Sequence, residues 1–94
     1  MPKIKRRFVR SGRFYVYIVE CADGTYYTGY TPRIRNRVKL HNAGRGARYT
    51  KQRRPVKLVW YKRYRYFKVA FKQEMAVKRL SRSQKERLIA GRSK

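Results

Sequence analysis

The chain has 94 residues, enough for one small domain with a modest core. Lys and Arg number 28 against four acids, a formal net charge of +24, so self-repulsion opposes compaction and a polyanion is the expected partner. One cysteine and one histidine exclude an internal disulfide and a structural zinc site, and no apolar run approaches the roughly 18 residues of a membrane-spanning helix.

The opening stretch, MPKIKRRFVRSGR, is basic and aperiodic. It reads as a disordered tail, a phosphate-contacting arm or both over 1–12, ahead of a folded domain over 13–91 and a short tail at 92–94. It lacks the apolar segment of a signal peptide, so an intracellular protein, cytoplasmic or nucleoid-associated, is expected. RFYVYIVE (13–20) is rich in β-branched and aromatic residues and predicts a strand. CADG turns the chain and TYYTGY (25–30) returns it, a hairpin. TPRIRNRVKLHN (31–42) predicts a helix with Thr31 as N-cap and Pro32 at its first position. A Gly- and Arg-rich loop, AGRGARYTKQRRP (43–55), follows, then a third strand, VKLVWYKRY (56–64). FKVAFKQEMAVKRL (67–80) has helical spacing. Ser81 with Gln84 forms a capping box that opens a last helix over 82–90, stopped by Gly91. The order β-β-α-β-α-α predicts an α+β fold, a small three-stranded antiparallel sheet flanked by helices.

With acids so few, each can be weighed separately. Asp23 precedes Gly24 in the turn and reads as structural. Glu20 ends the first strand without an evident role, and Glu86, between Lys85 and Arg87, reads as a surface charge. Glu74 differs. Phe67, Ala70, Phe71 and Val77 set an apolar stripe on its helix, and Glu74 falls inside it. A carboxylate facing a core is costly unless it is paired with an arginine or binds a cation. On the first helix, Arg37 and His41 lie four apart beside the buried positions Ile34 and Val38. Arg37 could snorkel and His41 could sit half-buried at the helix end; alternatively Arg37 binds phosphate and His41 moves a proton or contacts phosphate.

The hairpin register decides how the tyrosines are used. A two-residue Asp23-Gly24 turn puts Tyr17 and Tyr27 on opposite faces of the sheet. A three-residue Ala22-Asp23-Gly24 loop pairs Tyr17 with Gly29 and Val19 with Tyr27, placing both phenols on one face with Gly29 clearing space beside Tyr17. Both registers are compatible with the sequence. Tyr26 and Tyr30 fall on the face opposite Tyr27 in either case.

Together these residues carry a specific resemblance. Tyr-Val-Tyr at 15–17 followed by Tyr-Thr-Gly at 27–29 resembles the paired signature of the GIY-YIG nuclease superfamily. Arg37 and His41 match that family's helix, and Glu74 in AFKQEMAVKRLSR matches its single carboxylate. HNAGRGARYT and RRPVKLVW are similar to the compact single-domain bacterial branch, related to the nuclease domains of UvrC and of eukaryotic structure-specific resolving nucleases. The resemblance covers about residues 13–90. It implies a metal-dependent endonuclease that hydrolyses DNA phosphodiester bonds at branched or distorted structures, in repair or recombination. Glu74 would bind one Mg²⁺ or Mn²⁺, Arg37 the scissile phosphate, Tyr17 or Tyr27 the attacking water, and His41 phosphate or water. No small-molecule cofactor and no membrane are implied. The sequence departs from the family in reading Tyr-Val-Tyr for Gly-Ile-Tyr, in a first helix without acids near its start, and in lacking a late asparagine.

Beyond the scissile phosphate, Arg33, Arg45, Arg48, Lys51, Arg53 and Arg54 are the expected nucleic-acid contacts. In WYKRYRYFK (60–68), Tyr64 and Tyr66 are candidates for base stacking or, on the plainer reading, for packing between sheet and helix, with Trp60 in the core. DNA is the expected partner, with RNA also open to this surface. The competing reading is a non-catalytic basic nucleic-acid-binding protein of ribosomal or nucleoid type. The alignment of Tyr17, Tyr27, Arg37, His41 and Glu74 separates the two, because a passive binder has no need of it.

Overall fold

The computed structural model describes residues 11–92. The expected arm lies, for residues 1–10, outside the described residues, as do 93–94 of the tail. The elements run β1 (Ser11–Glu20), β2 (Tyr26–Thr31), α1 (Ile34–Asn42), α2 (Arg48–Lys51), β3 (Lys57–Tyr66), α3 (Phe67–Lys78) and α4 (Arg82–Arg92). The strands form one antiparallel sheet in the order β2-β1-β3, with β1, the most apolar of the three, in the centre. Among the described residues no helix is long and apolar enough to cross a membrane.

The register of the hairpin is the three-residue one. Tyr17 pairs with Gly29 and Val19 with Tyr27, and the Cys21 amide donates to the Thr25 carbonyl at 2.8 Å, which leaves Ala22, Asp23 and Gly24 to make the turn. Gly24 occupies the left-handed region at φ 85°, where a side chain would be strained. Asp23 Oδ1 accepts from the Thr25 amide at 3.1 Å and from its hydroxyl at 2.6 Å, so the carboxylate fixes the turn as its position suggests. Its other oxygen meets Arg53 Nε at 3.1 Å and ties the hairpin to the loop after α1.

Alternation along β1 gives the sheet two buried faces. On one, Tyr17, Val19, Cys21 and Val56 pack under Ile34 and Val38 of α1, with Tyr27, Leu58 and Tyr61 at the margins. On the other, Phe14, Val16, Ile18 and Trp60 meet Ala70 and Val77 of α3, extended by Tyr26, Tyr30, Tyr64, Phe67, Leu80, Leu88 and Ile89. Val16, Ile18 and Val19 are fully buried, each contributing on the order of 1.5–3 kcal/mol of transfer free energy. Trp60 is core, and Tyr64 packs against it, while Tyr66 is exposed.

Several local expectations are corrected. Thr31 is not the N-cap of α1; it ends β2, buried, and its hydroxyl accepts from the Arg33 amide at 3.1 Å, so the helix begins after Arg33 and Pro32 lies before its first position. The 43–55 segment is not all loop, because Arg48–Lys51 forms the helical turn α2. Phe71 does not belong to the buried stripe of α3. It is 47% exposed and stacks on Phe67 at 6.0 Å between centroids, while Ala70 and Val77 are the buried positions. Gly91 does not stop the last helix, which continues to Arg92. The Ser81–Gln84 capping box forms as expected: the Ser81 amide donates to Gln84 Oε1 at 2.8 Å and the Gln84 amide to Ser81 Oγ at 3.2 Å. Glu86 sits at the surface, 3.2 Å from Arg82 Nε.

Candidate active site

The three-residue turn sets Tyr17 and Gly29 side by side on the α1 face. A Cβ on Gly29 would lie 2.6 Å from the Tyr17 hydroxyl and 2.8 Å from Cζ, so only glycine lets the phenol cross the neighbouring strand. The phenol reaches His41, near the C-terminal end of α1. Tyr17 Oη and His41 Nε2 are 2.7 Å apart, and the two side chains are 2% and 1% exposed. The other ring nitrogen, Nδ1, is 2.8 Å from Thr50 Oγ1 of α2, itself fully buried. Gly46 completes the enclosure, because a Cβ there would fall 2.6 Å from His41 Cγ.

Burial disfavours charge on both members of this pair. It is the largest influence raising the Tyr17 phenol above its ordinary value and the largest lowering His41 below its own. At neutral pH the pair is therefore a phenol beside a neutral imidazole. After burial, the charges acting on Tyr17 belong to Tyr27, Arg37 and Glu74: Tyr27 and Glu74 disfavour the phenolate and Arg37 favours it. Arg37 also opposes a proton on His41. Of the residues singled out in the sequence, Tyr17, Tyr27 and His41 meet on the α1 face of the sheet, while Arg37 stands one turn before His41 on α1 and Glu74 on α3.

Tyr27 is half-buried and its ring edge meets His41 at 5.4 Å between centroids. On its other side it stacks on Tyr49, which in turn lies 3.9 Å beneath the Arg53 guanidinium. No hydrogen bond ties the Tyr27 hydroxyl to a described residue, in contrast to Tyr17. Arg37 is half-buried and has no carboxylate partner among the described residues.

The Glu74 side chain is only 14% exposed, and its Oε2 lies 3.1 Å from Lys78 Nζ, one turn along α3. The pair is with a lysine of its own helix, not with one of the arginines. The Lys78 side chain is 53% exposed, so the cation is held at the surface and the carboxylate below it. This arrangement fits a hard divalent cation: a largely desolvated carboxylate oxygen whose present countercharge is a flexible ammonium free to swing into solvent. No group of three or more His, Cys, Asp or Glu side chains clusters among the described residues, so Glu74 would be joined by water and substrate oxygens rather than by further protein ligands.

Of the six basic residues expected at the nucleic-acid surface, Arg33, Arg45, Arg48, Lys51 and Arg54 are exposed and Arg53 is half-buried. Arg53 and Arg54 also hold the loop together. Arg53 donates to Asp23 and to the Tyr49 carbonyl at 2.8 Å, and Arg54 Nε to the Lys51 carbonyl at 2.8 Å. Asn42 is a further bracket, accepting from the Val56 amide at 2.7 Å and donating to its carbonyl at 3.0 Å. Sequence reasoning missed Thr50, Gly46 and Tyr49. The available signal was the Gly-Ala-Arg-Tyr-Thr run of 46–50, which lies in the stretch similar to the compact branch but whose spacing assigns no partner.

A family profile described as the GIY-YIG catalytic domain matches residues 13–87. The UPF0213 protein of Natronomonas pharaonis is 50% identical over 76 residues, 81% of this chain and 89% of that one. The UPF0213 protein of Staphylococcus haemolyticus is 46% identical over 80 residues, 85% and 98% of the respective chains. Two solution NMR structures share the fold. The UPF0213 protein of Bacillus halodurans superposes with a TM-score of 0.55 at 45% identity over 83% of each chain. A protein of E. faecalis superposes with a TM-score of 0.59 at 36% identity, over 87% of this chain and 90% of that one.

Proposed function

We propose that this chain, which belongs to the GIY-YIG catalytic domain family, is an endonuclease that cuts phosphodiester bonds of DNA with the help of one divalent cation. The observation that carries this reading is that residues of three different elements meet at one buried imidazole: Tyr17 Oη of β1 lies 2.7 Å from His41 Nε2 of α1, and the Tyr27 ring of β2 packs against the same histidine. A passive basic protein gains nothing from that convergence.

Glu74 would hold Mg²⁺ or Mn²⁺, which when bound stabilises negative charge on the phosphate and on the leaving oxygen. Arg37, without a carboxylate partner among the described residues, binds the scissile phosphate through its guanidinium N–H groups. Tyr27, whose hydroxyl no described residue engages, faces the attacking water and as phenolate takes its proton. The water oxygen bonds to phosphorus as the bond to the 3′-oxygen breaks, leaving a 5′-phosphate and a 3′-hydroxyl. Tyr17 and His41 lie behind this pair and fix its wall. Arg33, Arg45, Arg48 and Lys51 hold the flanking backbone, with Arg53 and Arg54 adding whatever donors the loop does not use. With so small a domain, recognition rests on backbone shape, which suits branched or distorted DNA and a role in repair or recombination. The domain spans 13–91 in this reading, with 1–12 as a further phosphate-binding arm.

The test is incubation of end-labelled duplex, single-stranded and branched DNA, and their RNA counterparts, with Mg²⁺ or Mn²⁺. Cleavage of branched DNA by the wild type and none by Glu74→Ala is the expected result. Equal cutting by both proteins, or none by either, would leave the basic nucleic-acid-binding reading in its place.

A further inference from the structure

The buried chain Tyr17–His41–Thr50 can run in either direction, and the further contacts of Thr50 favour one. Thr50 Oγ1 has one hydrogen and two lone pairs. It lies 3.0 Å from the Ala47 carbonyl oxygen, 3.4 Å from the Ala47 amide and 2.8 Å from His41 Nδ1. The carbonyl can only accept and the amide can only donate, and a hydroxyl hydrogen given to the carbonyl is not available to Nδ1. What remains toward Nδ1 is a lone pair, which requires a hydrogen on Nδ1. A neutral imidazole with its hydrogen on Nδ1 has a bare Nε2, and the Tyr17 hydroxyl at 2.7 Å must donate to it.

We propose that Thr50 is a positioning residue: by committing its hydroxyl hydrogen to the Ala47 carbonyl it keeps the His41 hydrogen on Nδ1 and so turns the Tyr17 O–H inward. The proposal deepens the nuclease reading and rests on it for its catalytic consequence. With its hydrogen turned toward His41, Tyr17 presents lone pairs to the site. Those lone pairs, and no hydrogen, then form the wall behind the water that Tyr27 deprotonates. In the other tautomer Nε2–H would donate to Tyr17, which would present a hydrogen to the water instead. Two features of the loop serve the same end. Thr50 is the third residue of α2 and reaches back to Ala47 just before it, so the turn itself sets the hydroxyl. Gly46 lets the loop backbone lie against the imidazole, where a Cβ would meet Cγ at 2.6 Å and Cε1 at 2.7 Å.

The experiment is ¹⁵N–¹H correlation of the His41 ring in the full chain, as wild type, Thr50→Val and Thr50→Ser, with single-turnover cleavage of the same samples. Wild type should show a neutral ring with its hydrogen on Nδ1. Thr50→Val, equal in shape but without the oxygen, should move the hydrogen to Nε2 or divide it between the nitrogens, and Thr50→Ser should restore Nδ1. Cleavage should fall about 100-fold or more in Thr50→Val, as expected for an imidazole held in the wrong tautomer, and recover in Thr50→Ser. A wild-type ring protonated at Nε2 overturns the proposal on its own, even if Thr50→Val does not fold. So does a folded Thr50→Val that keeps Nδ1–H or cuts at the wild-type rate. A wild type that cuts nothing removes the nuclease reading, and the tautomer measurement still decides the role of Thr50.

Discussion

Tyr17 and His41 form a 2.7 Å hydrogen bond between the centre of the sheet and the end of α1, sealed from solvent on both sides. Removing the hydroxyl with Tyr17→Phe keeps the ring that packs on Val19 and leaves Nε2 without a partner. The expected cost is about 1–3 kcal/mol of stability, read from denaturant unfolding. Cleavage should fall by about 100-fold or more while DNA affinity is kept.

Gly29 faces the same phenol. Gly29→Ala places a methyl 2.6 Å from the Tyr17 hydroxyl in a wall that cannot yield, because the ring is held by His41. Overpacking of this kind costs about 1–3 kcal/mol. A calorimetric scan should show a lowered Tm, and cleavage should drop along with it as the phenol moves off His41.

Burial lowers His41, with a smaller push from Arg37, and this gives a pH dependence of stability. The unfolded chain takes up a proton near the ordinary histidine value of about 6.5, whereas the folded chain does so only at lower pH. Between those two points the unfolded state binds more protons, so stability falls as pH falls. The Asp23 carboxylate, also lowered, is an exposed group that titrates below this window. Unfolding free energies of wild type and His41→Gln measured from pH 7.5 to 5 (a range chosen about the reference value) should converge toward acid. A constant difference would contradict the assignment.

Thr28 lies between Tyr27 and Gly29 but points to the other face of the sheet. It is buried opposite Ile18 on β2, and its hydroxyl has no hydrogen-bond partner among the described residues. Thr28→Val keeps the β-branched shape and removes an unsatisfied polar atom. The expected result is a gain of up to about 1–2 kcal/mol with cleavage unchanged.

The sequence carried much of this, and its failures have physical reasons. Tyr17, Tyr27, Arg37 and His41 were legible because alternation and helical spacing assign faces locally. The hairpin register was not, since both loops satisfy the same pattern; the Asp23 side chain and the Cys21–Thr25 pairing decide it. The spacing of Phe71 suits a core stripe, yet α3 turns Ala70, Glu74 and Val77 inward and leaves Phe71 at the rim. Thr50 and Gly46 were invisible because their partner, His41, is brought to them by the path of a loop, and loop geometry has no period to read. The exposed surface of that loop is legible again as charge. Arg45→Ala and Arg48→Ala should each weaken DNA binding regardless of sequence and each reduce the slope of log K against log salt by about 0.9 if a phosphate contact is lost.

The central claim is that Glu74, 14% exposed and matched at present by Lys78, serves a cation and not only the fold. Its direct test is single-turnover cleavage of branched DNA across a Mg²⁺ titration, wild type against Glu74→Gln, a change that keeps the shape and removes the charge. The account predicts saturable, Mg²⁺-dependent cutting by wild type and, in a variant that still folds and binds DNA, a loss of about 100-fold or more that added Mg²⁺ does not restore. A folded Glu74→Gln protein that cuts at the wild-type rate, or cutting that is indifferent to Mg²⁺, would contradict it.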